Sequence, residues 1–226
     1  MTETKEAGNR NIERRYPPRF DLIAGNVCLD FVNTLDDRHS KDPAVKPKEL
    51  LKTYLDLVRF AEDTGVLDSL QVDKLYRHTE MDPMGAQKVL EWGRELREAI
   101  HDVFWAIMNR QLVPPPALGK VNAYAQGAAS HMSLVPIERG PRKGGFEWKY
   151  DDFRAFDSVL WPIARAAVDL LASDQLAYVR ACSSKTCEWF FLDTSKNHHR
   201  RWCDMTRCGN RAKFQRFYAR KKKESS

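Results

Sequence analysis

Cys182-SSKT-Cys187-EWFFLDTSKNHHRRW-Cys203-DMTR-Cys208 carries four of the chain's five cysteines within 27 residues. Two pairs, each with four residues between its members, are separated by fifteen residues, enough chain for a hairpin. Clustered thiols in a chain without a secretion signal point to a metal more than to disulfides. Zinc takes four thiolates in a tetrahedron, and two short-range pairs provide them at a small loop-closure cost. Trp189 to Leu192 reads as a strand, Ser195 to His198 as a turn, and Arg200 to Cys203 as a returning strand. Asp204 can then N-cap a helix running through Arg220, with Cys208 in its early turns. A knuckle, a hairpin and a helix around one ion make a treble-clef-like finger, to which zinc would contribute on the order of 10 to 16 kcal/mol. Four thiolates leave no open position for water, so the metal is expected to be structural. His198 and His199 fall in the turn and read as surface residues, and Cys28, far upstream, is expected to take no part.

In these residues the chain resembles the CGNR zinc finger family, whose hallmark stands as Cys208-Gly209-Asn210-Arg211. The Phe191-Leu192-Asp193 run, the Ser195-Lys196-Asn197 turn, the Arg200-Arg201-Trp202-Cys203 return and Lys213 follow the same pattern. Upstream, AGNVCLDFVNTLDDR at 24–38 is similar to the start of the ABATE domain, a stress-induced transcription-regulator-like domain that accompanies such fingers. The resemblance spans nearly the whole chain and implies a bacterial regulator that binds nucleic acid.

Charge is distributed unevenly. From Arg180 onward there are 13 Lys and Arg against 4 Asp and Glu, net +9, whereas the preceding 179 residues carry a net −3. A near-neutral body with a polyanion-seeking terminus is the simplest reading. At 100° per residue, Cys208, Ala212 and Ala219 share one side of the final helix, facing the metal. Arg207, Arg211 and Lys222 form one basic stripe, Lys213, Arg216 and Arg220 a second, and Phe214, Phe217 and Tyr218 lie between them. That aromatic strip needs a partner, and the body, a second subunit and nucleic acid all remain open. Arg200, Arg201, Arg207, Arg211, Lys213, Arg216 and Arg220 are the candidate nucleic-acid contacts, since Arg and Lys neutralise phosphates and Arg can pair bidentately with guanine. DNA is preferred over RNA, although exposed aromatics on a basic knuckle also suit unstacked bases. A zinc-dependent protein-interaction module is the alternative of a different class.

The remaining chain reads as a soluble α+β protein, a mostly helical body with a small hairpin. Residues 1–19 form a polar arm ending in Tyr16-Pro17-Pro18, 20–177 the body and 178–226 the finger. Val27, Phe31, Val32 and Leu35 keep helical spacing, so a first helix is expected to carry Asp30, Asn33, Thr34 and Arg38. Further helices are expected over 48–64, 69–77 and from Asp82-Pro83 to Val113, where Pro114-Pro115-Pro116 ends the longest, with a short one over 117–128. His131 to Glu138 and Phe146 to Tyr150 read as two strands, and a last helix over 152–172 should kink or restart at Pro162.

Asp30, Asn33, Thr34 and Arg38 offer a carboxylate, an amide, a hydroxyl and a guanidinium that could hold a small polar effector, or could form a buried network that fixes packing. No catalytic constellation stands out, and His101 and His131 have no obvious chemical companions, so the chain is not read as an enzyme. With no apolar stretch approaching a membrane span and no signal peptide, a cytoplasmic location is expected. The oligomeric state is open, a homodimer being one arrangement compatible with the sequence.

Overall fold

The computed structural model describes residues 19–38, 44–150, 155–184 and 186–224; the N-terminal arm expected over 1–19 lies outside these apart from Arg19. Helix α1 (Val27–Val32) is short, because Asn33 caps it and the Thr34 hydroxyl turns back to the Phe31 carbonyl at 2.6 Å. The expected helix through Leu35 therefore gives way to a two-residue strand, β1 (Leu35–Asp36), paired antiparallel with β2 (Lys48–Glu49). Lys48, expected to open the second helix, is thus in a strand. Helix α2 (Tyr54–Asp63) starts later, where Thr53 and Asp56 bond to each other's backbone N–H in a capping box. Helical periodicity could not distinguish these short bridges from helix ends, since two-residue strands carry no pattern of their own.

Helix α3 (Ser69–Met81) runs longer than expected, up to Asp82. That residue also caps α4 (Pro83–Met108), its carboxylate accepting from Gly85 N at 2.9 Å. Gly93 on α4 allows close approach: an added Cβ would lie 3.2 Å from Leu160 and 3.3 Å from Leu57. Helix α5 (Pro115–Ser130) leads into the hairpin β3 (Met132–Pro136) and β4 (Phe146–Tyr150), in the register Leu134 opposite Trp148. The last body helix divides as Pro162 demands, into a 3-10 turn over Phe156–Leu160 and α6 (Trp161–Leu171). Helix α1 packs against α4 and α6, so the body core forms around Phe31, Phe60, Phe104 and Leu96.

The same core continues into the C-terminal segment through Val179, Phe190, Phe191, Leu192, Cys203 and Cys208. Strand β5 (Val179–Ala181) pairs antiparallel with β6 (Phe190–Leu192). The expected hairpin between Trp189–Leu192 and Arg200–Cys203 is not formed, and the reason lies on the other edge of β6. There the Asn33 carboxamide takes both backbone groups of Phe190, accepting from its N at 2.9 Å and donating to its carbonyl at 2.9 Å. Leu192 N donates to the Ala24 carbonyl at 2.7 Å. With β5 on one side and the body on the other, β6 has no free edge for a returning strand. Arg201 instead accepts from Ser183 N at 2.8 Å, beyond the end of β5.

Asn33 thus substitutes for a strand residue within a buried seam, as a side chain that mimics a peptide group. Asn33→Ala should leave the Phe190 N–H and carbonyl unpaired, and lower unfolding free energy by about 2 to 6 kcal/mol, at about 1 to 3 kcal/mol per orphaned group. Denaturant titration of the zinc-loaded chain measures this, and a change below about 0.5 kcal/mol would remove the seam from the account.

Candidate metal centre and basic helix

Each cysteine is placed by a different local device. Cys182 follows β5 and donates its N–H to the Trp189 carbonyl at 2.8 Å. Cys187 closes a turn on the Ser184 carbonyl at 3.3 Å. Cys203 ends the segment that lies along Ser183. Cys208 sits in a π-turn, Met205–Gly209, capped by the Asp204 carboxylate, which accepts from Thr206 N at 2.6 Å and Arg207 N at 2.9 Å. Helix α7 (Asn210–Glu224) continues from that turn, as the sequence led us to expect.

The four sulfurs lie within 4.8 Å of one another, with Cys187 to Cys203 at 3.5 Å and Cys203 to Cys208 at 3.7 Å. Four Zn–S bonds of about 2.3 Å in a tetrahedron set neighbouring sulfurs about 3.8 Å apart, whereas a disulfide needs about 2.05 Å. The spacing fits a tetrathiolate metal site and excludes bonded pairs. Hydrogen bonds from Cys187, Cys203 and Cys208 pull the Cys182 thiol down, while Cys187 is pushed up by the same crowding. A divalent cation held among these sulfurs would keep all four as thiolates. Cys28 is buried in the body core, where burial pushes its thiol up, and stands apart from the cluster. His198 is committed elsewhere: a ring nitrogen meets the Asp193 carbonyl at 2.8 Å, and the ring stacks on Tyr178 at 3.8 Å. His199 is exposed.

Asp193 organises the loop between the two cysteine pairs. Its buried carboxylate accepts from Ser195 N at 3.0 Å, Ser195 Oγ at 2.6 Å and Arg200 N at 2.8 Å. Burial alone would raise this carboxyl, but those bonds outweigh it and hold it below the usual range. Although the residue lies in the quoted Phe191-Leu192-Asp193 run, sequence did not reveal its role, because a turn-forming carboxylate looks like any polar loop residue.

The seven basic candidates separate into groups. Arg200 stacks on Phe191 at 4.6 Å and donates to the Trp202 carbonyl at 2.9 Å and to that of Cys203, so it frames the metal loop and is half-buried. Arg207 pairs with Asp21, Nη2 to Oδ1 at 3.1 Å, on an exposed surface. Arg211 donates to Thr186 Oγ1 at 2.6 Å. Arg201 is exposed beside Trp202, and Lys213 is exposed on α7. Arg216 and Arg220 lie on α7, but their side chains fall outside the described residues. Phe214, Phe217 and Tyr218 are 64%, 47% and 66% exposed, so the body does not cover the aromatic strip. With Asn210 and Lys213, the two phenylalanines line an open groove of about 460 Å³.

The four polar residues expected to hold an effector are spent on protein partners. Asp30 accepts from Ala24 N at 2.9 Å, Asn33 holds Phe190, Thr34 accepts from Arg97 at 3.1 Å, and Arg38 pairs with Glu98 at 3.1 Å. Arg38 is not on the first helix at all, because α1 ends at Val32 and β1 intervenes. Neither the α7 groove nor the cleft between α4 and β5 described below is lined by any of them. The pocket expectation is corrected to a buried network: partners at Ala24, on β6 and on α4 engage the polar groups, a fact invisible from residues 30 to 38 alone.

Burial pushes the Asp30 carboxyl up to about 6 from 3.8, outweighing its bond from Ala24. The folded state therefore binds the proton more tightly than the unfolded state. The stabilising effect is complete below pH 3.8 and lost as pH rises through about 6. A shift of about 2 units corresponds to roughly 3 kcal/mol lost by pH 8. Asp30→Asn, which keeps the acceptor oxygen, should then be more stable than the parent at pH 8 and lose that advantage at pH 4, as read by denaturant titration at the two pH values.

For the metal centre, elemental analysis should return one zinc per chain, and X-ray absorption four sulfur neighbours at about 2.3 Å. Cys203→Ser should release zinc to a chelator at least about tenfold faster, since even outer partners of zinc ligands are worth about 10 to 100-fold.

No curated protein matches this chain. Residues 178–221 match the CGNR zinc finger family, which agrees with the tetrathiolate geometry and assigns the site to zinc. Residues 25–174, well over half of the chain, match the family described as "Putative stress-induced transcription regulator". The chain belongs to that ABATE family and carries a CGNR zinc finger after its ABATE domain.

Proposed function

We propose that the chain is a transcription regulator that binds DNA through the outer face of its zinc finger, with the ABATE domain receiving a signal. The observation that carries this reading is the surface of α7. Lys213 and Arg211 flank an aromatic strip exposed to solvent, on a segment with net +9 from Arg180 onward. Like-charged helices repel, which weighs against pairing two copies of α7 directly, whereas a polyanion with flat apolar bases complements both features. A shell of four thiolates has no open coordination position, which supports a structural metal. Among the described residues no helix is long and apolar enough to cross a membrane, in keeping with a partner in solution.

With Arg200 engaged at the metal loop and Arg207 paired with Asp21, the proposed phosphate contacts are Arg201, Arg211, Lys213, Arg216 and Arg220. The exposed phenylalanines and tyrosine favour one second reading, in which α7 stacks on unpaired bases of RNA. Titrating the intact zinc-loaded protein with duplex DNA and with RNA pools across salt concentrations separates the two. Five phosphate contacts on duplex DNA give a slope of log affinity against log salt near about −4.5. Arg211→Glu combined with Lys213→Glu should weaken binding to every sequence and reduce the slope by about 1.8. Salt-insensitive binding, or none to either nucleic acid, would transfer the basic face to an acidic protein partner.

A further inference from the structure

A cleft of about 510 Å³ lies where the C-terminal end of α4 meets the strand that leads into the metal site. Trp105, Ile107 and Met108 form its α4 side, and Leu176, at the end of the body, with Val179 and Ala181 of the finger's β5 form the opposite side. This size and apolar lining suit a small organic molecule. Its lining residues include two arginines, Arg110 and Arg180, and no carboxylate. Arg180 is already held, donating to the Ala177 carbonyl at 2.7 Å and the Val179 carbonyl at 2.9 Å. Arg110 makes no side-chain bond or ion pair among the described residues.

The backbone at Arg110 is informative. It occupies the left-handed region, φ 54°, just past the end of α4, a position that helices usually fill with glycine. Arg110 N bonds to the Ile107 carbonyl at 3.1 Å and Gln111 N to the Ala106 carbonyl at 2.8 Å, so the turn itself asks only for a residue without a Cβ. An arginine here costs the fold local strain and places an unpaired cation at the mouth of an apolar cleft. The carbonyl end of α4 would ordinarily disfavour an anion nearby. Those carbonyls are capped, however: the Trp105 carbonyl takes Asn109 N at 3.0 Å and Asn109 Nδ2 at 2.8 Å.

We infer that this cleft is a binding site for a small apolar anion, an aromatic or aliphatic acid whose charged group meets Arg110 and whose body lies between Trp105 and Leu176. The site is coupled to the metal centre through two short paths. Ala181, in its wall, precedes the ligand Cys182. Trp105, in the opposite wall, stacks in series with His101 and Phe190, the β6 residue held by Asn33. An occupant touches both walls and so favours the arrangement in which finger and body are closed on each other. The site stands whether or not nucleic acid is the partner of α7.

The test uses naphthalene-2-sulfonate and its cationic counterpart 2-naphthylmethylammonium, titrated by calorimetry into the zinc-loaded full chain. The sulfonate should bind at one site at least about tenfold more tightly than the ammonium, the factor that 1.4 kcal/mol of charge preference gives. Arg110→Gly, which suits the left-handed turn and so preserves the fold, should erase that difference. Ala177→Trp, filling the cleft from its exposed rim, should abolish sulfonate binding. Saturating sulfonate should also slow zinc transfer to a chelator in the parent protein and leave Ala177→Trp unaffected. Salt-sensitive nucleic-acid binding by Arg110→Gly without the sulfonate should match the parent, which keeps this result separate from that of the basic helix. Equal binding of the two probes, sulfonate binding at parental strength in either variant, or zinc transfer indifferent to the sulfonate would overturn the inference.

Discussion

The fold of the finger segment depends on how the edge of β6 is satisfied. A three-residue strand cannot stand alone, since its buried N–H and carbonyl groups need partners on both sides. One side is met by β5 and the other by Asn33 and Ala24 from the start of the body. The consequence is that the finger is not an appendage joined by a linker. Its central strand is completed by residues about 157 positions earlier in the chain, and its cysteines share a continuous core with the body helices.

This arrangement divides the work between metal and packing. A segment of finger size buries too little apolar surface to fold by itself, so zinc ligation supplies much of its folding energy. The body contributes Phe190 stacking on His101 at 5.3 Å, and the Asp36 carboxylate accepting from Trp189 Nε1 at 2.7 Å. With the inner side of the finger occupied in this way, only its outer side remains for a partner. On that side Arg201 and Lys213 are exposed, whereas Arg200 is used in supporting the loop before Cys203.

Much of this was legible in the sequence, and the parts that were not share a cause. The tetrathiolate site, the long helix from Pro83, the hairpin at Met132 and the restart at Pro162 rest on local signals: spacing, caps and proline. The aromatic strip on α7 was likewise readable from helical periodicity. The completion of the outer edge of β6 and the engagement of Asn33, Thr34 and Arg38 depend on contacts distant in sequence. A polar cluster on one short segment looks the same whether it faces a ligand or a neighbouring strand. Nor did anything in the sequence mark Arg110, because a left-handed helix end is recognised by glycine, and the residue there is an arginine.

Through the outer edge of β6, finger and body are expected to form one cooperative structure. Amide hydrogen exchange on the full chain, with zinc bound and after its removal by a chelator, tests this most directly. Loss of zinc should release the amides of Phe190 and Leu192 and, with them, those of Leu29 and Asn33 at α1, while the distant amides of α3 change little. Full protection retained at α1 while the finger exchanges freely would contradict it, and would make the zinc finger an independent module.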